Sequence, residues 1–399
     1  ELPEPIFGRE SRFNGGKTYF FTCSSIAVLI AESWAASSSG VIFSFTVSDF
    51  NEIDALILCQ LAYIDFSDII SSEVKTQKSL KQVAAEFSTH KNLTEKSDLG
   101  LIINPKTIDL LYKTANSQRF SDILICGYES IYNLQIEEQF SAITFLIDKE
   151  KVFVAFRGTD DTIVGLKEDF NLAFKEVVPA QNESLSYLEN VIDYFSNKKI
   201  LVGGHSKGGN LAIYSAAHLN KKYQKKILFV YNFDGPGFLQ DSLLLPNFTE
   251  ILKRTKTFYP KGSIIGMLFH HQDDFFVVES DGFFVMQHDP FTWKLEGPKF
   301  QYCPELEKSS TFFHKTFNEW FINLEKSKRE EFVETLFNAL ESTKASTNSE
   351  LAANWLKNSG KIIKSFSDLD PEIKKSAGHT ASEFFKLAGK NIYNEYKLF

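Results

Sequence analysis

The sequence predicts an α/β fold built on a mostly parallel central sheet. Three observations predict it. Short β-branched and aromatic runs alternate with helical stretches between residues 140 and 279. One run, Ile200–Gly203, passes through a glycine-rich turn straight into a helix-forming series. Beyond Gln301 the apolar spacing is helical throughout.

The elements follow in order. Residues 1–47 are rich in Ser, Ala and Gly, lack a sustained period, and read as an N-terminal extension. Within them Tyr19–Ala31 loosely resembles the apolar core of a targeting signal, although Glu32 follows at once. No Met precedes Met267, so the chain reads as lacking its initiator. From Asn51 to Phe66, apolar residues recur at helical spacing (Ile53, Leu56, Ile57, Leu61, Ile64). Further helices are predicted near 77–88, 106–116 and 120–132.

Then the period changes. Phe140–Ile147 and Val152–Phe156 are strands joined by a short polar link, which predicts a hairpin. A helix near 184–197, the strand Ile200–Gly203 and a helix after Ser206 come next. The strand Ile227–Phe233, a helix near 247–256, and strands at Thr257–Pro260 and Phe275–Glu279 complete the series. Four helices are predicted over 309–325, 328–343, 349–366 and 371–392. The chain divides into an extension (1–47), an α/β domain (48–300) and a helical C-terminal region (301–399).

Composition narrows the function. A net charge of -8 disfavours a nucleic-acid binder, which needs a basic face. Cys23, Cys59, Cys126 and Cys303 are scattered, so neither a disulfide framework nor a zinc site is expected. No run of 18 apolar residues predicts a membrane span. Phenylalanine is unusually abundant at 39 residues, which fits either a coding bias or a large apolar pocket. The cluster Phe269, Phe275, Phe276, Phe283, Phe284 and Phe291 is the place to look for an acyl-binding wall.

Residues 204–208 read Gly204-His205-Ser206-Lys207-Gly208, a G-x-S-x-G sequence between a strand and a helix. That context is the one a nucleophile elbow requires. The turn is so tight that side chains at Gly204 and Gly208 would clash. Ser206 is the candidate nucleophile, at a helix N-terminus whose free N–H groups favour a developing negative charge. The segment VFVAFRGT ends a strand in Arg157-Gly158-Thr159, able to bring a second N–H to the same place. The backbone N–H groups of Thr159 and Lys207 are the candidate oxyanion donors.

A base and an acid should follow the serine in the order acid, then histidine. His218 falls in the helix after the elbow, and His314 and His379 in the helical tail. His288 sits in a loop after a late apolar run and is the preferred base, with His270 and His271 as alternatives. Asp234 closes the strand Ile227–Phe233 and is the preferred acid. Asp273 and Asp274 are its alternatives.

Together VFVAFRGT, GLKEDF and GGHSKGGNLA resemble the class 3 lipase relatives of the α/β-hydrolases. A closer resemblance is to the Mbeg-like bacterial hydrolases, a family of unknown function. It is carried by NEIDALILCQLAYIDF, AFRGTDD, NFDGPGF, SIIGMLF and QHDPFTW across residues 48–300. The resemblance implies an α/β-hydrolase fold, to which the helical spacing before residue 140 and beyond Gln301 adds helical N-terminal elements and a C-terminal helical cap or bundle. It also implies Ser206 as nucleophile, Thr159 in the oxyanion hole, His288 as base, and a lid over Asp160–Ala180. Two departures stand out. Lys207 occupies the place where class 3 lipases usually have Leu. Their acid would fall near Ser263, where no carboxylate stands, which favours Asp234 at the end of the preceding strand.

The expectation is a serine hydrolase that cleaves a small-molecule or lipid carboxylic ester through an acyl-enzyme and needs no metal or organic cofactor. An amide or thioester hydrolase with the same triad is one alternative. A binding protein that keeps the fold without catalysis is another. The cytoplasm is the expected location. Phe366, Phe384, Phe385 and Phe399 in a modestly basic tail leave contact with a membrane surface as a weaker expectation.

Overall fold

The computed structural model describes residues 49–350 except 101, 173, 272, 273 and 348, with a few isolated positions between 364 and 382. The expected extension 1–47, with its targeting segment, lies outside the described residues. So, almost wholly, do the helices expected over 349–366 and 371–392.

Among the described residues the strands are β1 (Lys78–Ser79), β2 (Leu124–Asn133), β3 (Glu138–Leu146) and β4 (Lys151–Phe156). They continue with β5 (Lys199–His205), β6 (Ile227–Phe233), β7 (Thr255–Pro260) and β8 (Phe276–Val278). Three short strands follow: β9 (Leu295–Glu296), β10 (Lys299–Phe300) and β11 (Tyr302–Cys303). One sheet runs in the order β1-β2-β3-β4-β5-β6-β7-β8-β11. From β4 to β8 every pairing is parallel. The hairpin β3–β4 is antiparallel, as its short polar link predicts.

The sheet is covered on both faces, which is why its central strands are almost continuously apolar. One face carries the helices Glu52–Leu61, Leu80–Ser88 and Lys106–Ala115, through Leu56, Leu58, Leu80, Phe87, Leu110 and Leu111. The other carries Pro179–Tyr194, Lys207–His218 and Pro246–Leu252, through Leu188, Ile192, Leu211, Ile213, Phe248 and Ile251. Each such fully buried side chain contributes about 1.5–3 kcal/mol relative to exposure. This three-layer arrangement is the α/β-hydrolase fold, with helices preceding the sheet and a helical region after it. The helix Glu52–Leu61 is fixed by Asn51, which caps it together with Asp54, and by the buried pair Arg119–Asp54.

The helices Lys308–Asn323 and Lys326–Glu341 form a third, smaller core. Trp320, Val333 and Phe337 pack there against Ile163, Leu172, Phe174 and Phe269.

One element differs in kind from expectation. Residues 120–132 read as a helix, but Leu124–Asn133 is a strand paired along β3. A register shift between Cys126 and Glu129 hides the alternation, and Gly127 at φ 64 supplies the backbone that it needs. Elsewhere the differences are at boundaries. The helix expected at 184–197 starts at Pro179, a favourable first helical residue. The helix near 247–256 stops at Leu252 because β7 begins at Thr255.

Candidate active site

The site lies at the carboxyl ends of the parallel strands, where ligands bind in open α/β sheets. β5 ends at His205 and the helix Lys207–His218 begins two residues later. Between them Ser206 has φ 58 and ψ -134, a conformation that costs a non-glycine residue about 1–3 kcal/mol. The flanking glycines explain how the turn closes. A Cβ on Gly204 would lie 2.1 Å from the carbonyl of Gly208, and one on Gly208 would lie 2.2 Å from the Phe156 carbonyl oxygen. The Ser206 side chain makes no capping hydrogen bond and is partly exposed. The N–H of Lys207 is among the first four of its helix, which have no partner within it.

Asp234 directly follows β6 and also has positive φ, at 50. Its carboxylate is fully buried, and its Oδ2 receives Nδ1–H of His288 at 2.6 Å. A carboxylate only accepts, so that bond leaves the other nitrogen of a neutral His288 free to accept a proton. Oδ1 receives the Ser263 hydroxyl at 2.5 Å and the Gly266 N–H at 3.2 Å. The turn after Asp234 is held by Asn210, whose amide donates to the carbonyls of Pro236 and Gly237.

His288 ends a short 3₁₀ helix, Phe284–His288. Its neighbours pin it there. Gln287 accepts from the Gly262 N–H at 2.9 Å, and the Trp293 indole donates to the Gln287 carbonyl at 2.8 Å. His205 stacks beside His288 with ring centroids 4.5 Å apart. Its Nε2–H donates to the His288 carbonyl at 2.9 Å, and its Nδ1 accepts from the Tyr63 hydroxyl at 3.0 Å. Burial, with His288 nearby, pushes the His205 pKa well below the usual range and keeps that ring neutral.

Thr159 is buried in the loop after β4, and its hydroxyl donates to the carboxylate of Asp169. The Lys207 side chain turns into the core. It ion-pairs with Glu168 at 2.8 Å and donates to the backbone and side-chain oxygens of Gln139. Both ions of that pair are buried. Glu168 and Asp169 lie on the helix Ile163–Asn171, the segment where the resemblance implied a lid. Lys167 of the same helix pairs with Glu137 and Glu334. The helix is thus clamped to the elbow helix, to β3 and to the C-terminal hairpin.

The structure brings together the preferred acid and base. The alternative histidines have other neighbours. His271 packs against His314, Tyr259 and Phe275. His270 pairs through its backbone with Phe238. His218 bonds to the Tyr214 carbonyl within its own helix. Asp273 lies outside the described residues. Of the phenylalanines proposed as one acyl-binding wall, Phe284 has a side chain outside the described ones, and the other five scatter. Phe269 and Phe291 enter two different cores, Phe275 packs at a tilt against Tyr259, Phe276 stacks on Phe258, and Phe283 faces solvent. Tyr63, His205 and Asp169 were given no role from sequence, and Ser263 was marked only as the place where a class 3 acid is missing. Only the quoted segments that contain them carried a signal.

The Mbeg1-like family matches residues 114–338, more than half of the chain. The chain belongs to the Mbeg1-like family. No curated protein matches it. Among solved structures, this Mbeg1-like chain is similar to M37 lipase, at 17% identity and TM-score 0.34, over 55% of this chain and 70% of that one. It is also similar to a variant of MDLA from Penicillium cyclopium, at 10% identity and TM-score 0.36, over 62% and 82%. A third is a Rhizomucor miehei lipase–propeptide complex, at 14% identity and TM-score 0.31, over 58% and 72%.

Proposed function

We propose that this Mbeg1-like chain is a serine hydrolase acting on a carboxylic ester. The observation that carries the reading is the 2.6 Å bond between Asp234 and His288 at the sheet edge that also holds the strained Ser206 elbow. In this reading Ser206 Oγ attacks the ester carbonyl and His288 Nε2 takes its proton. Asp234 holds the imidazole in the required tautomer and stabilises the imidazolium. The N–H groups of Thr159 and Lys207 receive the oxyanion. Collapse expels the alcohol, protonated by His288, and leaves an acyl-enzyme. Water, activated by the same histidine, releases the acid.

The chemistry asks for no metal or organic cofactor. The same groups would cleave a thioester or an amide, so the bond is assigned by substrate series. A fluorophosphonate probe tests the nucleophile. The expected result is a single adduct on Ser206, absent from Ser206→Ala. Labelling that survives that substitution, or no labelling at all, sinks the enzyme reading in favour of a binding protein.

A further inference from the structure

Two buried side chains beside the triad take no part in the steps above. Tyr63 follows the helix Glu52–Leu61, and His205 ends β5, directly before Ser206. The Tyr63 hydroxyl lies 3.0 Å from His205 Nδ1, and His205 Nε2 lies 2.9 Å from the His288 carbonyl oxygen. These partners fix the protons. A carbonyl only accepts, so Nε2 carries the hydrogen. Nδ1 of the neutral ring then accepts, and the tyrosine hydroxyl is its donor. Burial pushes the Tyr63 pKa up and the His205 pKa down, so both groups stay neutral and the direction of donation holds.

This short chain of bonds reaches three parts of the site. At one end the Tyr63 hydroxyl is packed on the oxyanion loop. A Cβ on Gly158 would lie 2.2 Å from that hydroxyl, 2.6 Å from the His205 carbonyl oxygen and 3.0 Å from Ser206 Cβ. Gly158 directly precedes Thr159, the residue whose N–H is the oxyanion donor in the reading above. In the middle, His205 is joined covalently to Ser206. At the other end, His205 holds the backbone of His288, and the two rings lie face to face with centroids 4.5 Å apart and planes 30° apart.

The Asp234 carboxylate turns the His288 ring, but it does not set how far the base stands from the elbow. The His205 bond does, because it ties the residue beside the nucleophile to the base 83 residues later. Reacting atoms need to stand about 3–3.5 Å apart, and a misplacement of about 1 Å costs on the order of 10²-fold in rate. A neutral ring adds no positive charge beside the imidazolium that forms on His288. Resting on the serine-hydrolase reading, we propose that Tyr63 and His205 are positioning residues, a hydrogen-bonded bracket that sets His288 and the oxyanion loop at their distances from Ser206. Neither takes or gives a proton in the reaction. The bracket therefore acts on the chemical step and not on substrate binding.

Three variants test it. Tyr63→Phe keeps the ring and removes only the hydroxyl. His205→Leu removes both polar contacts, and His205→Gln keeps an amide that can donate to the His288 carbonyl. Each is compared with the native protein on a nitrophenyl ester. Turnover is counted per Ser206 that a fluorophosphonate probe labels at completion, so misfolded molecules drop out of kcat, and thermal melts run alongside. kcat is expected to fall about fivefold or more in Tyr63→Phe and about tenfold or more in His205→Leu, with KM within about twofold of native. His205→Gln is expected to recover most of the loss seen in His205→Leu. A Tyr63→Phe kcat equal to native, or equal losses in His205→Gln and His205→Leu, overturns the proposal whatever the melts show. A native protein that neither cleaves the ester nor labels at Ser206 defeats the hydrolase reading itself, an outcome distinct from a bracket that makes no difference to a working enzyme.

Discussion

The Ser263 hydroxyl donates to Oδ1 of Asp234 at 2.5 Å, on the carboxylate whose other oxygen holds His288. Resemblance to class 3 lipases placed their acid near Ser263, where this chain has none. Here the serine at that place supports a carboxylate moved to the end of β6. Gly266 completes the support, since a Cβ there would lie 2.6 Å from Asp234 Oδ1. Ser263→Ala should leave a buried carboxylate oxygen with only the Gly266 N–H. A hydrogen bond to a charged group is worth about 1.5–3 kcal/mol, so kcat should fall roughly tenfold or more with KM little changed. Steady-state kinetics with a nitrophenyl ester checks this. An unchanged kcat would mean that the serine does not orient the acid.

Asp234→Asn preserves shape but removes the charge that fixes the His288 tautomer. The expected loss is on the order of 10⁴ in kcat with the fold intact, by analogy with the same change in a serine protease triad. Circular dichroism with fluorophosphonate labelling rates reads both halves. A loss below tenfold would transfer the acid role to another carboxylate.

How much of this was legible in the sequence is clear from particular residues. The elbow was, because Gly204 and Gly208 are required by contacts of about 2 Å that allow no Cβ, and such needs leave a short local pattern. The placement of Asp234 was partly so, since a strand end is local but the approach of His288, 54 residues later, is not. β2 was hidden by its bulge, where two residues take the place of one and break the period of two. Tyr63 was invisible as a site residue. It bonds to His205 from 142 residues away, and nothing local in its helical segment marks that contact. The phenylalanine cluster misled because proximity along the chain does not fix which side of a loop each ring faces.

The buried pair Lys207–Glu168 ties the residue after Ser206 to the helix Ile163–Asn171. Lys207→Met alone leaves Glu168 buried without its cation, a change that usually costs about 3–5 kcal/mol. Lys207→Met combined with Glu168→Gln removes both charges and should recover much of that loss. Urea melts of Lys207→Met, Glu168→Gln and the double variant measure the coupling. A further consequence concerns activity at interfaces. A helix held by buried ions does not swing freely, so rates on monomeric and micellar forms of one ester should rise smoothly through the critical micelle concentration. A sharp jump there would show that the clamp opens.

Asp169 carries the clearest pH signature. Burial pushes its pKa up to about 6 from 3.8, against the opposing effects of Lys207 and of the Thr159 hydroxyl. Its Oδ1 is buried without a hydrogen-bond partner, which is the physical origin of the cost of ionising it. An acid whose pKa is raised on folding binds more protons in the native state between the two values. Stability from this group is therefore full below about pH 4 and is lost as pH rises to about 6, by roughly 1–3 kcal/mol. Asp169→Asn has no such proton to lose, and its amide oxygen still accepts from Thr159. Thermal melts from pH 4 to 7 should show a gap between the variant and the native protein that grows in the variant's favour as pH rises. A gap that stays constant across that range would place the Asp169 carboxyl at its ordinary pKa and remove the case for a buried, reluctant charge beside the oxyanion loop.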